Sequence, residues 1–197
     1  MSRFPIHTID SAPERSKALF VALKQAVGMV PNLAAGMAES PQFLEGFLTV
    51  REIYGKGSLS GAEIEVLSLT AAFENNCDWC VAFHSLMAGK NDVPVEVVEA
   101  LRAGRSPEDA RLGPLSDFAR AMVRGRGVVG EAVRQRFHAA GYTRAQALEV
   151  VFGMGFSLMA NYAGHFVNPP LDQPLQAHEW HRATPHRTHP EPELTAR

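Results

Sequence analysis

The 197-residue chain is 46% hydrophobic and 20% charged, with a formal net charge of −2. That length suits one domain that buries its own core without staples, and so small a charge gives no field favouring nucleic acid or an anionic lipid surface. The amino-terminal MSRFPIHTID lacks the apolar run of a signal peptide, and no apolar stretch reads as a membrane span, so the expected setting is the cytoplasm, with no membrane partner.

The chain reads as helical nearly throughout. Leu19, Phe20, Leu23, Val27 and Val30 recur at helical spacing within about residues 10–30, and Pro31 is the expected stop. Ser40-Pro41 offers an N-cap followed by proline in the first helical position. Phe43, Phe47, Val50 and Tyr54 then repeat every three or four residues. Ser60-Gly61-Ala62-Glu63 is a capping-box pattern opening a helix so apolar all round that burial is expected. A new helix is expected from Asn76 or Cys77 to about Gly89. NDVPVEVVEALRAG, PLSDFARAMVRGRG, GEAVRQRFHAAG and TRAQALEVVFGMGFSLMANYAGHF predict four more. No strand pattern with hairpin turns occurs. The fold class is therefore all-α, a bundle of about seven or eight helices over residues 1–182. The Pro- and His-rich end, 183–197, reads as a disordered tail.

An internal repeat is also legible. Glu65 precedes His84 by the interval at which Gln146 precedes His165, suggesting a two-helix unit used twice with its chemistry in one copy. His165 itself reads as a core histidine, and His178, His181, His186 and His189 as solvated.

The only two cysteines lie in ENNCDWCVAFH. In a reducing compartment a close pair is more often catalytic or metal-binding than structural. Cys77 and Cys80, at i and i+3, share a helical face about 60° wide, and in a first turn their thiols are within disulfide range and near the positive end of the helix dipole. His84 continues that face, where an imidazole can take a thiol proton. Glu65 sits on the preceding apolar helix among Leu69, Ala72 and Phe73, a costly place for a carboxylate without a partner. In a helical hairpin it reaches His84, making a Glu–His–Cys proton relay. Glu63 reads as a solvent-facing cap residue and Glu74 as a supporting group beside the pair. The competing readings are half a metal site and an inert buried pair. A structural zinc site needs two further ligands, and no second CxxC exists; a c-type haem site needs histidine where Val81 stands. No metal or cofactor is expected.

Glu65, Cys77, Cys80 and His84, set in LSLTAAFENNCDWCVAFHSLMAGK, resemble the alkyl hydroperoxidase D pattern of the carboxymuconolactone decarboxylase-like family. The resemblance extends over about residues 20–170. It implies an all-α fold with a helix–CxxC–helix core, assembly into trimers or hexamers, and thiol-dependent reduction of hydroperoxides or partner disulfides. Such proteins often act beside a peroxiredoxin and draw electrons from a thiol or dithiol donor. It also implies that Cys80 is the thiol activated by a Glu65–His84 relay and Cys77 its disulfide partner, whereas the dipole argument alone favours Cys77. A homo-oligomer is expected on composition too, since Phe43, Phe47, Tyr54, Phe152, Met154, Phe156 and Met159 are many large apolar groups for one helical core. Two alternatives stand beside this reading: decarboxylase-like lactone chemistry with incidental cysteines, and a non-enzymatic redox-sensing helical oligomer.

Overall fold

The computed structural model describes residues 4–182. Among them are nine α-helices, one 3₁₀ helix and no strand. The helices are α1 (Glu14–Val27), α2 (Asn32–Met37), α3 (Pro41–Tyr54), α4 (Gly61–Glu74), α5 (Asp78–Lys90), α6 (Val95–Arg102), α7 (Leu112–Arg124), α8 (Glu131–Ala139) and α9 (Arg144–Val167). The 3₁₀ helix is Gln173–His178. The bundle is all-α as expected, with α2 the element that the seven-or-eight-helix reading lacks. Six residues are too few to show a period. The expected tail, 183–197, lies outside the described residues.

The capping signals explain the boundaries that matter. Ser60 accepts from the Glu63 backbone while the Glu63 carboxylate accepts from the Ser60 N–H, a reciprocal box that starts α4. Thr143 and Gln146 do the same for α9. At the end of α1 the expected stop at Pro31 gives way to Gly28, which takes the left-handed conformation (φ 84°) and bonds back to Lys24.

Helix α4 is the hub. Its residues Val66, Leu67, Leu69, Ala71 and Ala72 are buried, and α5, α6, α7 and α9 all pack on it, which is why its sequence carries no polar stripe. Phe47 of α3 stacks on Phe156 of α9 (centroids 4.8 Å apart), and Phe118, Phe137 and Tyr142 form a second aromatic cluster under α7 and α8. The segment after α9 folds back on α5. Arg102 donates to Ser85 Oγ and to the carbonyls of His178 and Glu179, and the Trp180 indole donates to the Arg102 carbonyl.

Several sequence expectations are corrected here. Gln146 and His165 lie on one unbroken helix, whereas Glu65 and His84 lie on two, so the two-helix repeat does not exist. His165 is exposed rather than core, with its Nε2–H donated to the Asn75 carbonyl (2.8 Å). Glu63 is buried and paired with Arg111 (2.9 Å). Glu74 turns away from the cysteines to bind Arg120 (3.0 Å) and Arg124 (2.7 Å) of α7.

Of the groups assigned to an interface, Phe47, Tyr54, Met154 and Phe156 are core; Phe43 and Met159 are half-buried and Phe152 is exposed. The exposed apolar stripe on α9 is instead Leu148, Val151, Phe152, Tyr162 and Phe166. By length and composition α9 is a helix able to cross a membrane, contrary to the sequence reading, yet 56% of its apolar window is buried inside the bundle. Its hydropathy is accounted for by this core position.

Candidate active site: a disulfide between two cavities

The α4–α5 hairpin is built by Asn76. This residue adopts the left-handed conformation (φ 56°), which asparagine tolerates better than most side chains. The Asn76 N–H bonds the Phe73 carbonyl and the Cys77 N–H bonds the Ala72 carbonyl, the paired bonds of a Schellman stop. Cys77 is also the N-cap of α5, its carbonyl accepting from Val81 N–H. One residue thus closes α4 and opens α5, and Cys80 falls in the first turn.

Cys77 and Cys80 form a disulfide with Cα atoms 5.2 Å apart, and both are almost wholly buried, at 3% and 1% exposure. Glu65 and His84 meet across the hairpin, with Nδ1 2.8 Å from Oε2 and both side chains nearly enclosed. A carboxylate only accepts, so Nδ1 carries the proton and Nε2 is the basic nitrogen of the neutral ring. The Phe83 ring packs edge-on against the imidazole and stacks on Trp79 (5.2 Å, 11°).

Glu65, Cys80 and His84 share one cavity of about 460 Å³, whose walls are mostly apolar and include Tyr54, Trp79, Phe83 and Phe156. The four residues singled out in sequence are therefore close together, but they do not all face one space, since Cys77 is not part of this wall.

Residues 41–111 match the carboxymuconolactone decarboxylase family model. The match covers 71 of the 197 residues and includes Glu65, Cys77, Cys80 and His84. The chain's fold is AhpD-like. It superposes on the alkylhydroperoxidase AhpD core of a peroxidase-related protein from Ralstonia eutropha JMP134 with a TM-score of 0.79 at 18% identity, covering 88% of this chain and 94% of the other. A peroxidase-related protein from Silicibacter sp. TM1040 gives 0.74 at 22% identity, covering 88% and 92%. The debrominase Bmp8, in a structure with 2,3,4-tribromopyrrole, gives 0.73 at 14% identity, covering 90% and 97%. No curated protein sequence matches the chain.

In this AhpD-like chain three further residues shape the site; the sequence reading names only Tyr54 among them, and assigns it to an interface. Asp172 accepts from the Trp79 indole (2.9 Å) and from the Asn32 N–H (3.0 Å), fixing the ring that walls the cavity. Burial holds the Asp172 carboxyl above its ordinary range, although both bonds pull the other way. Tyr54 lines the cavity, and its buried hydroxyl has no hydrogen-bond partner among the described residues; burial, and then the Glu65 charge, push its ionisation far upward. Gly164 lies against the disulfide. The sequence signal for Gly164 is its place inside an apolar helix; Asp172 sits in a Pro-rich stretch with no period to read. Among the described residues no three His, Cys, Asp or Glu side chains gather as a metal set.

Proposed function

We propose that this protein is a thiol-dependent oxidoreductase that reduces hydroperoxides or partner disulfides through the Cys77/Cys80 pair. The observation that carries the reading is the shared cavity, where one sulfur of a disulfide faces an apolar space beside a buried carboxylate–imidazole pair. In the reduced protein His84 takes the Cys80 proton, held by Glu65 in the tautomer that leaves Nε2 free. The Cys80 thiolate attacks a peroxide oxygen, the O–O bond breaks and the alcohol leaves with the proton. The Cys77 thiol then displaces water from the Cys80 sulfenic acid, giving the disulfide, and two donor thiols restore the pair. Cys80 rather than Cys77 is the attacking sulfur because it alone shares the relay's cavity. Turnover of cumene hydroperoxide by purified protein with a dithiol donor tests the reading; a single oxidation without cycling points to a redox sensor instead.

Glu65→Gln keeps a hydrogen-bonding group but loses the charge that steadies the imidazole. Its rate of peroxide-driven oxidation is expected to fall by less than about 10²-fold, the lower bound typical of losing the base itself. Stopped-flow thiol titration of the reduced variant measures it, and an undiminished rate removes Glu65 from the relay.

The flat Trp79–Phe83 stack in the cavity wall favours one second reading, thiol-driven removal of halide from a haloaromatic, ArBr + 2 RSH giving ArH + HBr + RSSR. Lactone chemistry leaves the cysteines incidental, and full turnover after alkylation of both points there. A cytoplasmic setting goes with cycling thiols, and a peroxiredoxin is a natural recipient of electrons from such a pair. The apolar stripe on α9 supports a homo-oligomer, trimer or hexamer; a monomer in light scattering at micromolar concentration counts against it.

A further inference from the structure

The disulfide is approached from two sides. Cys80 lines the apolar cavity and Cys77 does not. Cys77 lines a second cavity of about 400 Å³ and Cys80 does not. Trp79 lines both, and so stands as the partition between them. The second cavity is polar, with Asn76, Asp78, His165, Asn168, Glu179 and His181 around it. His181 lies between the carboxylates of Asp78 (2.9 Å) and Glu179 (3.3 Å), which raise its pKa, the Asp78 hydrogen bond most.

Gly164 gives this cavity its access to sulfur. It also lines the space, and a Cβ built there stands 2.7 Å from Cys77 Sγ and 3.6 Å from Cys80 Sγ. Glycine inside a helix is less stable than alanine by roughly 0.5–1 kcal/mol. Gly164 lies in the last turn of α9, three residues before its end at Val167, in ordinary helical conformation, and the room it leaves over the disulfide accounts for a glycine there.

We propose that the polar cavity admits the reducing thiol, which attacks Cys77, while the apolar cavity serves the oxidising substrate at Cys80. A donor thiolate bonds Cys77 Sγ, the Cys77–Cys80 bond breaks, and Cys80 leaves as the thiolate, now in the relay's cavity beside His84 and Glu65. A second donor thiolate attacks the donor sulfur of the mixed disulfide, releasing Cys77 as thiolate and the donor as its disulfide. Two electrons enter the protein and two donor thiols become one disulfide. The acidic rim suits a small hydrophilic thiol that is neutral or cationic. The assignment rests on the thiol-dependent reading for the oxidising half only, because reduction of the disulfide is observable without any peroxide.

The test mixes the oxidised wild-type protein with cysteamine, quenches rapidly with N-ethylmaleimide and locates the adducts by mass spectrometry. The expected product carries cysteamine on Cys77 and maleimide on Cys80. Cysteamine on Cys80, alone or alongside Cys77, overturns the proposal. Saturating cumyl alcohol, its binding followed by tryptophan fluorescence, is expected to leave the reduction rate unchanged; a parallel loss of rate means a shared entrance and also overturns it. In Gly164→Ala the reduction is expected to slow by about 10²-fold, the scale on which a displacement of about 1 Å between reacting groups acts. The wild-type adduct position decides the matter should that variant fail to fold. Reduced protein that hydroperoxide does not reoxidise defeats the peroxidase reading and leaves the entry side of the thiol standing.

Discussion

Cys80→Ser is expected to reduce hydroperoxide consumption to background, a loss on the order of 10⁶-fold where a catalytic nucleophile is removed outright. A serine hydroxyl is not appreciably ionised near neutral pH, and His84 cannot alter that enough to make it competitive with a thiolate. Cys77→Ser should fail differently. It retains the thiol that shares a cavity with Glu65 and His84, so one equivalent of peroxide is consumed and the reaction stops at a sulfenic acid with no neighbouring thiol to condense with. A pre-steady-state assay with dimedone labelling separates the two. Oxidation retained in Cys80→Ser with none in Cys77→Ser reverses the assignment, and unchanged rates in both discard the redox reading.

His84→Ala is expected to slow peroxide-driven oxidation by about 10² to 10⁴, the usual range for a positioned general base. The loss should shrink as pH rises past the ordinary thiol range of about 8.5, where bulk hydroxide ionises the thiol without help. A pH–rate profile of the reduced variant against wild type reads this directly, and a deficit that stays constant with pH assigns His84 a purely structural role. The substitution also strands the buried Glu65 carboxylate, whose only hydrogen-bond partner among the described residues is His84, so a loss of stability of about 1–3 kcal/mol should accompany it in denaturant unfolding.

The helix–CxxC–helix hairpin was legible because each of its parts is local. The capping box, the asparagine turn and the i, i+3, i+7 face are all set within thirty residues, and the Glu65–His84 contact needs only that the two helices fold back on each other. The misplaced carboxylates fail that condition. Glu63 and Glu74 lie on the same helix as Glu65, but what each one meets is decided by Arg111, Arg120 and Arg124, which are 46 to 50 residues away. Nothing near Glu63 in the sequence says that an arginine will cover it, so it read as solvated. The place of the aromatic groups is not local either, for a related reason. Counting large side chains does not say whether Phe47 and Phe156 stack on each other or cover a surface, and in the structure they stack. The second approach to the disulfide was invisible, because it depends on a segment after α9 lying across α5, and on an absent side chain at Gly164.

The turn at Asn76 leaves no slack between the acid and the sulfurs. Ala72 and Val81 are both hydrogen-bonded to Cys77, one on each side, so the stretch from Glu65 to His84 acts as a rigid gauge of fixed length. Adding or deleting one residue within α4 turns everything before it by about 100° relative to the cap, which would swing Glu65 off the face that meets His84 while leaving every residue of the motif in the chain. The spacing is thus a mechanical part of the site in its own right, and a chain with the right four residues at the wrong intervals would have the ingredients of the relay and none of its geometry.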